Sequence, residues 1–488
     1  MAMKTELEQA LKKLLGERAT TDLFERRCYE RDLAPVPDFL VKPLADTLPD
    51  IVVRPQNTEE VASVMELAAR HRCPVTARAG GSTVYFNAIC TQRGILADVN
   101  GLNQLLEVNR EQTRVRVGAG ISWYQLEREL KRYGLAARSY PSSAPAATVG
   151  GWLAMMGYGL GSLKYGPLVE QVLTARTVLP DGHIRDLTKT SEPPLDWLAG
   201  SEGTLGLITE VELLVRKAPA YEWHGLAAFA APASMQQFIE TVVSGDAVPF
   251  NLHFSDPACN ALRHRLGLAG EREAQLYTVA FDADGETAEV AAARRNYERA
   301  CQVTGAGDLR EGAAEEWENR FFSLILKREG PSLLGAEIWL PLAHLAEYLQ
   351  AVDAFACRER LAVKTYGHVV TARQAMVMSL FGADERDTLG YLQGLAFVKK
   401  LHDVGARYGG APYGIGLWNT PYFQRYYDTA EWQERKRRKK MLDPDNVMNP
   451  GKVYQVPLLL QPAVFNTGMD LLAASSRVCR GKLGRKPG

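Results

Sequence analysis

The chain has 488 residues, 46% apolar and 23% charged, with 57 Lys and Arg against 57 Asp and Glu. That length is too great for one ordinary core and predicts two or three domains, with the apolar share of a globular protein. Zero formal net charge argues against a general nucleic-acid binder, and no apolar run approaches the ~20 residues of a membrane helix.

The N-terminal stretch from Met1 to Leu11 reads as a charged amphipathic helix without the apolar segment of a signal peptide, so a cytoplasmic protein is expected. It opens a helical lead-in ending at Pro35, Pro37 and Pro43. Ile51 to Pro55 is a strand stopped by proline, and Asn57 or Thr58 caps a helix whose face carries Val61, Val64, Met65, Ala68 and Ala69. Val75 to Arg78 is the next strand, and Leu96, Val99, Val108, Val115 and Val117 mark further short ones. A helix over 122–133 ends at Gly134. Strands follow at Val172 to Leu179, closed by the turn Pro180-Asp181-Gly182, and at Leu207 to Val215.

After Pro219 the character changes. Strands near 221–230, 249–255, 274–282, 334–340 and 361–381 alternate with helices near 232–244, 285–303, 343–359 and 386–408, an α+β pattern with an antiparallel sheet. The basic run from Lys436 to Lys440 reads as a solvated helix end. Seven scattered cysteines form no C-x-x-C pair, so neither an intrinsic iron–sulfur cluster nor a zinc ribbon is expected.

Two glycine-rich stretches stand out. One is Ala77-Arg78-Ala79-Gly80-Gly81-Ser82-Thr83; the other runs from Pro141 through Ala147, Thr148, Gly150 and Gly151 to Gly157, Ser162, Tyr165 and Gly166. Small residues let backbone N–H groups converge on an anion without Cβ clashes. Neither stretch fits G-x-G-x-x-G or G-x-x-x-x-G-K-[ST]. Further on come Gly200-Ser201-Glu202-Gly203-Thr204-Leu205-Gly206-Leu207-Ile208 and Leu442-Asp443-Pro444-Asp445-Asn446-Val447-Met448-Asn449-Pro450-Gly451-Lys452.

In this order the segments resemble the vanillyl-alcohol-oxidase-type (PCMH-type) FAD-linked oxidases and dehydrogenases, closest to the branch of the glycolate oxidase D subunit and D-lactate dehydrogenase, over roughly residues 15–455. The resemblance implies an α+β fold: a two-subdomain FAD-binding domain plus an α+β cap with an antiparallel sheet. The expected division is 1–45 lead-in, 46–219 FAD-binding domain, 220–430 cap, 431–455 return to the FAD domain and 456–488 tail. It makes Arg78, Ala79, Gly80, Gly81, Ser82 and Thr83 the diphosphate loop and sets Thr148, Gly150 and Gly151 along the flavin. It counts Pro141, Ala147, Gly157, Ser162, Tyr165 and Gly166 among the cofactor contacts. Glu202, Gly203, Leu207 and Ile208 are expected near the ribityl and adenosine part, and Asn449 and Lys452 (with Gly451) on the return toward the flavin. No histidine lies between His71 and His183, so noncovalent FAD is expected.

The 2-hydroxy-acid branch carries Gly-His-x-Gly-Asp-Gly-Asn-x-His and then Glu-His-Gly-Ile-Gly, which hold a divalent cation. This chain reads Gly367-His368-Val369-Val370-Thr371-Ala372-Arg373-Gln374-Ala375 and Pro412-Tyr413-Gly414-Ile415-Gly416. One imidazole does not make a metal site, so no catalytic metal is expected. His368 and Tyr413 are the candidates for the base, and Arg320, Arg373 and Lys364 for a carboxylate clamp.

The implied activity is oxidation of a small organic acid, a 2-hydroxy acid, by hydride transfer to FAD. Electrons would pass on to an Fe–S or electron-transfer flavoprotein subunit. A noncatalytic flavin electron-transfer or scaffold subunit and an oxygen-using alcohol oxidase are the alternatives. Beyond Val453 the tail, apolar and then basic at Arg477, Arg480, Lys482, Arg485 and Lys486, reads as a partner-docking helix, a frayed end or a membrane-surface contact.

Overall fold

The computed structural model describes residues 5–321, 326–328, 330–423 and 429–483, with side chains through 474. The chain divides into two units. Met1–Ala218, Gly414–Thr420 and Tyr427–Pro457 make the first; Pro219–Tyr413, Pro421–Tyr426 and Leu458–Gly488 make the second.

In the first unit, Leu7, Leu11 and Leu15 recur at helical spacing and bury that face of Thr5–Leu15 against Val61 and Met65 of Thr58–His71. Asn57 caps the latter helix by accepting from the Glu60 amide. The lead-in is part of the sheet: Ala19–Thr20 pairs antiparallel with Ile51–Val53. Ile51–Val53, Ile95–Asp98 and Val75–Arg78 continue it in parallel. At its far edge Val75 bridges in parallel to Met448. A second sheet runs Leu105–Asn109, Arg114–Gly118, Leu207–Lys217, Val172–Val178, Ile184–Leu187, with Leu135–Ala137 also on Leu207–Lys217.

The return segment is fixed by Asp443. Its carboxylate accepts from the amides of Val447 and Met448, both at 2.8 Å, and from Lys439 Nζ at 2.5 Å. Lys439 also donates to Thr204 O at 2.9 Å and Met448 O at 2.8 Å. The basic run is therefore not solvated throughout: Lys439 is 7% exposed, because the carbonyls of two chain segments converge on it.

The second unit is an eight-stranded antiparallel sheet in the order Gly307–Asp308, Tyr221–Phe229, Tyr277–Gly285, Asn251–Ser255, Lys364–Thr371, Gln374–Ala383, Ser332–Pro341, Ala411–Pro412. The single strand expected over 361–381 is a hairpin turning at Ala372-Arg373. Alternate residues point to opposite faces. One face packs under helices: Gly225 and Phe281 against Tyr297, Ser379 against Tyr348, Ile338 against Gly405. The other carries His224, Asn251, His253, Asp282, Glu337, Tyr366 and His368.

Two expectations change. Residues 414–420, expected within the cap, belong to the first unit, where the amides of Ile415 and Gly416 bind Glu202. The tail is not free through 474: Asp470 pairs with Lys399 and Lys400, and Phe465 packs edge-on to Tyr422. Its basic residues from Arg477 onward, and Cys479, have side chains outside the described residues. Among the described residues no helix is long and apolar enough to cross a membrane.

Asp443→Ala leaves the buried Lys439 ammonium without its counter-charge and should cost about 3–5 kcal/mol. Urea unfolding of the purified protein measures this; a loss under 1 kcal/mol refutes the role.

Candidate functional site

The strand Val75–Arg78 delivers the first glycine loop. Gly81 has φ +59°, and a Cβ on Gly80 would stand 1.9 Å from Ala146 O, so the two glycine stretches touch where only glycine fits. Among the described residues the amides of Gly80, Gly81, Ser82 and Thr83 donate to no protein acceptor. Such a run of free N–H groups is an anion nest. Arg78 does not extend its charge into this row. Its guanidinium donates to Arg31 O at 2.7 Å and Ala88 O at 3.2 Å and lies over the Tyr29 ring. Thr83 is tied through its carbonyl to the Leu33 amide, 3.0 Å. Lead-in residues thus brace the loop from behind.

The second stretch does not offer its central amides as expected. Val149 donates to Ile121 O, Gly150 to Ala119 O and Gly151 to the capping hydroxyl of Thr148. Gly150 is needed for close approach, since its Cβ would fall 2.5 Å from that of Ala119. The Ala147 carbonyl accepts from Trp123 and that of Pro141 from Ala144. Gly157 makes room for the Trp152 ring, Ser162 Oγ accepts from the Gly159 amide, and Gly166 takes φ +77°. The Tyr165 ring lies beneath Arg138 and Arg216. This stretch is shaped by close packing, not by open donors.

Glu202 is 7% exposed and sits in the left-handed region at φ +52°. Its carboxylate accepts from Ile415 N at 2.7 Å, Gly416 N at 2.6 Å and Asn87 Nδ2 at 3.2 Å. Its carbonyl accepts from Asn449 Nδ2 at 2.8 Å. Lys452, 2% exposed, donates to Asn87 O at 2.8 Å, to Ile89 O and to Asn449 Oδ1 at 2.5 Å. Burial raises the Glu202 carboxyl pKa and lowers the Lys452 ammonium to about 8, each partly offset by the other's charge. Gly203, at φ +69°, turns the chain beside Asn449. Leu207 and Ile208 are buried at the head of their strand, Leu207 in a core with Val178.

In the second unit His368 and His253 are register partners on adjacent strands, ring centroids 4.7 Å apart. His368 is 5% exposed and neither ring nitrogen has a hydrogen-bond partner. Burial pushes it down to about 4, so it is neutral near pH 7. His253 Nδ1 faces Glu316 Oε1 at 3.7 Å, and Glu316 binds Arg263 through Oε2. Two strands along, His224 Nδ1 bonds Asp282 at 2.8 Å, and Asn251 donates to the same carboxylate at 2.8 Å. The acid and Glu222 raise His224 to about 9 against a burial effect of opposite sign. Trp317 stacks on His224, and Arg320 lies between Trp317 and Phe321, 4.1 and 4.4 Å from the ring centroids. Arg320 Nη1 donates to Trp317 O, while Nε is buried without a partner.

Of the expected second-unit residues, His368 and Arg320 share the polar face. Tyr413 stands at the sheet's edge, its amide on Glu337 O and its ring on Trp339. Arg373 is apart, exposed in the hairpin turn, and Lys364 is buried with its ammonium on Ala362 O. Sequence reasoning missed His253, Glu337 and the His224–Asp282 pair. The only signal was a polar residue at every second position of a strand; which strands adjoin is set by topology. Among the described residues no group of three or more His, Cys, Asp or Glu is placed to hold a metal ion.

Residues 49–188 match the family described as FAD binding domain, and residues 218–453 match FAD linked oxidases, C-terminal domain. The glycolate oxidase subunit GlcD of Bacillus subtilis is 24% identical, covering 84% of this chain and 90% of that protein. A D-lactate dehydrogenase of Archaeoglobus fulgidus is 27% identical, covering 83% and 91%. Among solved structures, an alkyldihydroxyacetonephosphate synthase superimposes with TM-score 0.73 at 19% identity, over 92% of this chain and 85% of that one. The likeness to that structure is one of fold.

Glu202→Gln turns a donor toward the amides of Ile415 or Gly416 and should cost about 1–3 kcal/mol in chemical denaturation; an unchanged midpoint refutes the pin. Burial raises Glu337 to about 8. A carboxyl raised in the folded state favours folding most below its unfolded value, about 4.5, and that contribution fades as pH rises toward 8. Melting temperature against pH should therefore fall across that window in the native chain and less steeply in Glu337→Gln; parallel curves count against a desolvated Glu337.

Proposed function

Because the chain belongs to the family of FAD-linked oxidases and dehydrogenases that joins these two domains, we propose that it is a FAD-dependent dehydrogenase whose substrate is a small 2-hydroxy acid. One observation carries this reading: a neutral, buried imidazole, His368, with both nitrogens free, in a chain whose other unit offers four consecutive unbonded amides. The amide row fits FAD, because a diphosphate needs converging donors and a backbone without Cβ atoms in its path. Gly80 to Thr83 would hold the diphosphate, and Thr148, Gly150 and Gly151 would line the rest of the cofactor. Bound FAD supplies an acceptor for the hydride that leaves the substrate carbon.

The remaining steps belong to side chains. His368, neutral and partnerless, accepts the hydroxyl proton. Arg320, held between two rings with a buried free Nε, binds the substrate carboxylate. Since the sequence has no C-x-x-C pair, electrons continue to an Fe–S or electron-transfer flavoprotein subunit. The absence of histidine between His71 and His183 supports noncovalent FAD, which acid precipitation should release intact.

Anaerobic mixing with D- and L-2-hydroxy acids tests the reading. One enantiomer should bleach the oxidised flavin without added metal, and His368→Gln should slow bleaching about 10²–10⁴-fold at unchanged FAD content. If bound flavin is bleached by no member of the panel, the dehydrogenase reading fails and an electron-transfer subunit takes its place.

A further inference from the structure

His368 poses a charge problem. It is buried, pushed down to about 4, and bonded to nothing that would stabilise a proton once it arrives. The groups facing it from neighbouring elements are few. Met376 is its register partner on one side and His253 on the other. On its own strand Tyr366 lies with its ring 5.8 Å from that of His253, and Lys364 is turned to Ala362 O. Asp282, beyond Asn251, is occupied by His224 and Asn251, with the Arg320 charge also near it. From the helices over this face come Arg263 and Glu316. Glu316 is the carboxylate that faces His253: Oε2 is bound to Arg263, and Oε1 is 3.7 Å from His253 Nδ1, while burial, and then the His368 and Arg263 charges, hold the His253 ring well below the ordinary imidazole range.

We propose that His253 is the second half of a two-imidazole proton acceptor, in which the proton taken by His368 is shared with His253 and balanced by Glu316, itself held in place by Arg263. The inference rests on the reading of His368 as the base. The accounting is simple. The substrate O–H bond breaks and an N–H bond forms on His368. The proton then moves to, or is bridged with, a nitrogen of His253, while the hydride leaves separately to the cofactor. The pair goes from neutral to singly positive opposite one carboxylate, and the proton is later released to water. Protonated His253 turns its 3.7 Å approach to Glu316 into a charge-assisted contact, direct or through one water.

The test is a titration that needs no turnover. Full-length, FAD-loaded protein labelled in its eight histidines is followed by NMR from pH 8 downward. The His253 and His368 signals should move in one shared step. In His253→Gln, which keeps bulk but cannot hold the proton, His368 should titrate about tenfold less readily, an apparent pKa about one unit lower. Glu316→Gln should act in the same direction, and it carries the test if His253→Gln does not fold. With the substrate that bleaches the flavin, the acid limb of the reduction rate should shift to lower pH with KM unchanged. A His368 titration that is unmoved, or moves up, in both variants overturns the pair, because rings that merely pack would behave that way. A shared step with no substrate bleaching leaves the imidazole pair standing and removes the dehydrogenase reading. Bleaching slowed by His368→Gln, with independent titrations, does the reverse.

Discussion

The first unit depends on an arrangement that would be ruinous if incomplete: a carboxylate and an ammonium, Glu202 and Lys452, both withdrawn from water. Desolvating two charges costs several kcal/mol each unless hydrogen bonds replace the lost water. Here the replacements come from three stretches of chain. Asn87 and Ile89 follow the first glycine loop, Ile415 and Gly416 belong to the short segment 414–420, and Asn449 precedes Lys452. None of these stretches can shift without stranding a buried charge. That rigidity is what allows Gly80 to Thr83 to keep amides unbonded. A loop with no ladder of its own needs its ends fixed by something else, and Arg78, Asp32 and the Leu33 amide complete the bracing.

The second unit follows a different logic, the alternation of a strand. Helices carrying Tyr297, Tyr348 and Gly405 cover one face of the eight-stranded sheet, and the helices Pro257–Arg265 and Arg310–Glu318 lie over the other. Residues of the opposite parity are then collected on one surface whatever their separation in sequence. His224, His253 and His368 lie far apart in the chain, yet the register sets His253 beside His368 and His224 beside Asp282. The two regions differ in electrostatic character. Near His224 the carboxylates of Asp282 and Glu222 favour a charged ring, while at His368 burial without a partner favours a neutral one. One surface therefore holds an imidazole that favours the charged form and another that favours the neutral one.

Local signals were legible in the sequence where the chemistry is local. A cap at Asn57 or Thr58, the strand into the first loop and the demand for glycine in both stretches follow from residue type and spacing; that the cap is Asn57, and that Gly80 and Gly150 face Ala146 and Ala119, came from the structure. The ordered motifs pointed to a flavin fold. What stayed hidden was non-local. Lys439 reads as one more member of a basic helix end, and only the convergence of Thr204 O, Met448 O and Asp443 buries it. Arg373 sits five positions from His368 in sequence, but the strand turns between Thr371 and Gln374, so it stands exposed at the turn. Glu202 looked like a cofactor contact by position, yet its carboxylate is used up in holding Ile415, Gly416 and Asn87.

The departures from the 2-hydroxy-acid motif gain a physical meaning on this surface. A cation beside the substrate hydroxyl would lower the energy of the oxyanion left when the proton departs. On the proposed 2-hydroxy-acid reading, with Ala375 and Pro412 standing where the motif has histidine and glutamate, it is the proton's new location that this chain's own residues would stabilise. A lone imidazole in an apolar setting does this poorly, because the positive charge it gains is as costly as the negative charge it relieves. A second imidazole backed by a braced carboxylate spreads that charge over a longer path. The strand Asn251–Ser255 sets His253 beside His368, and the helix Arg310–Glu318 places Glu316 3.7 Å from His253, where it is paired with the buried Arg263. Withdrawing such a pair from water costs several kcal/mol per charge before their mutual attraction repays it, so the carboxylate opposite His253 is held there against a desolvation penalty.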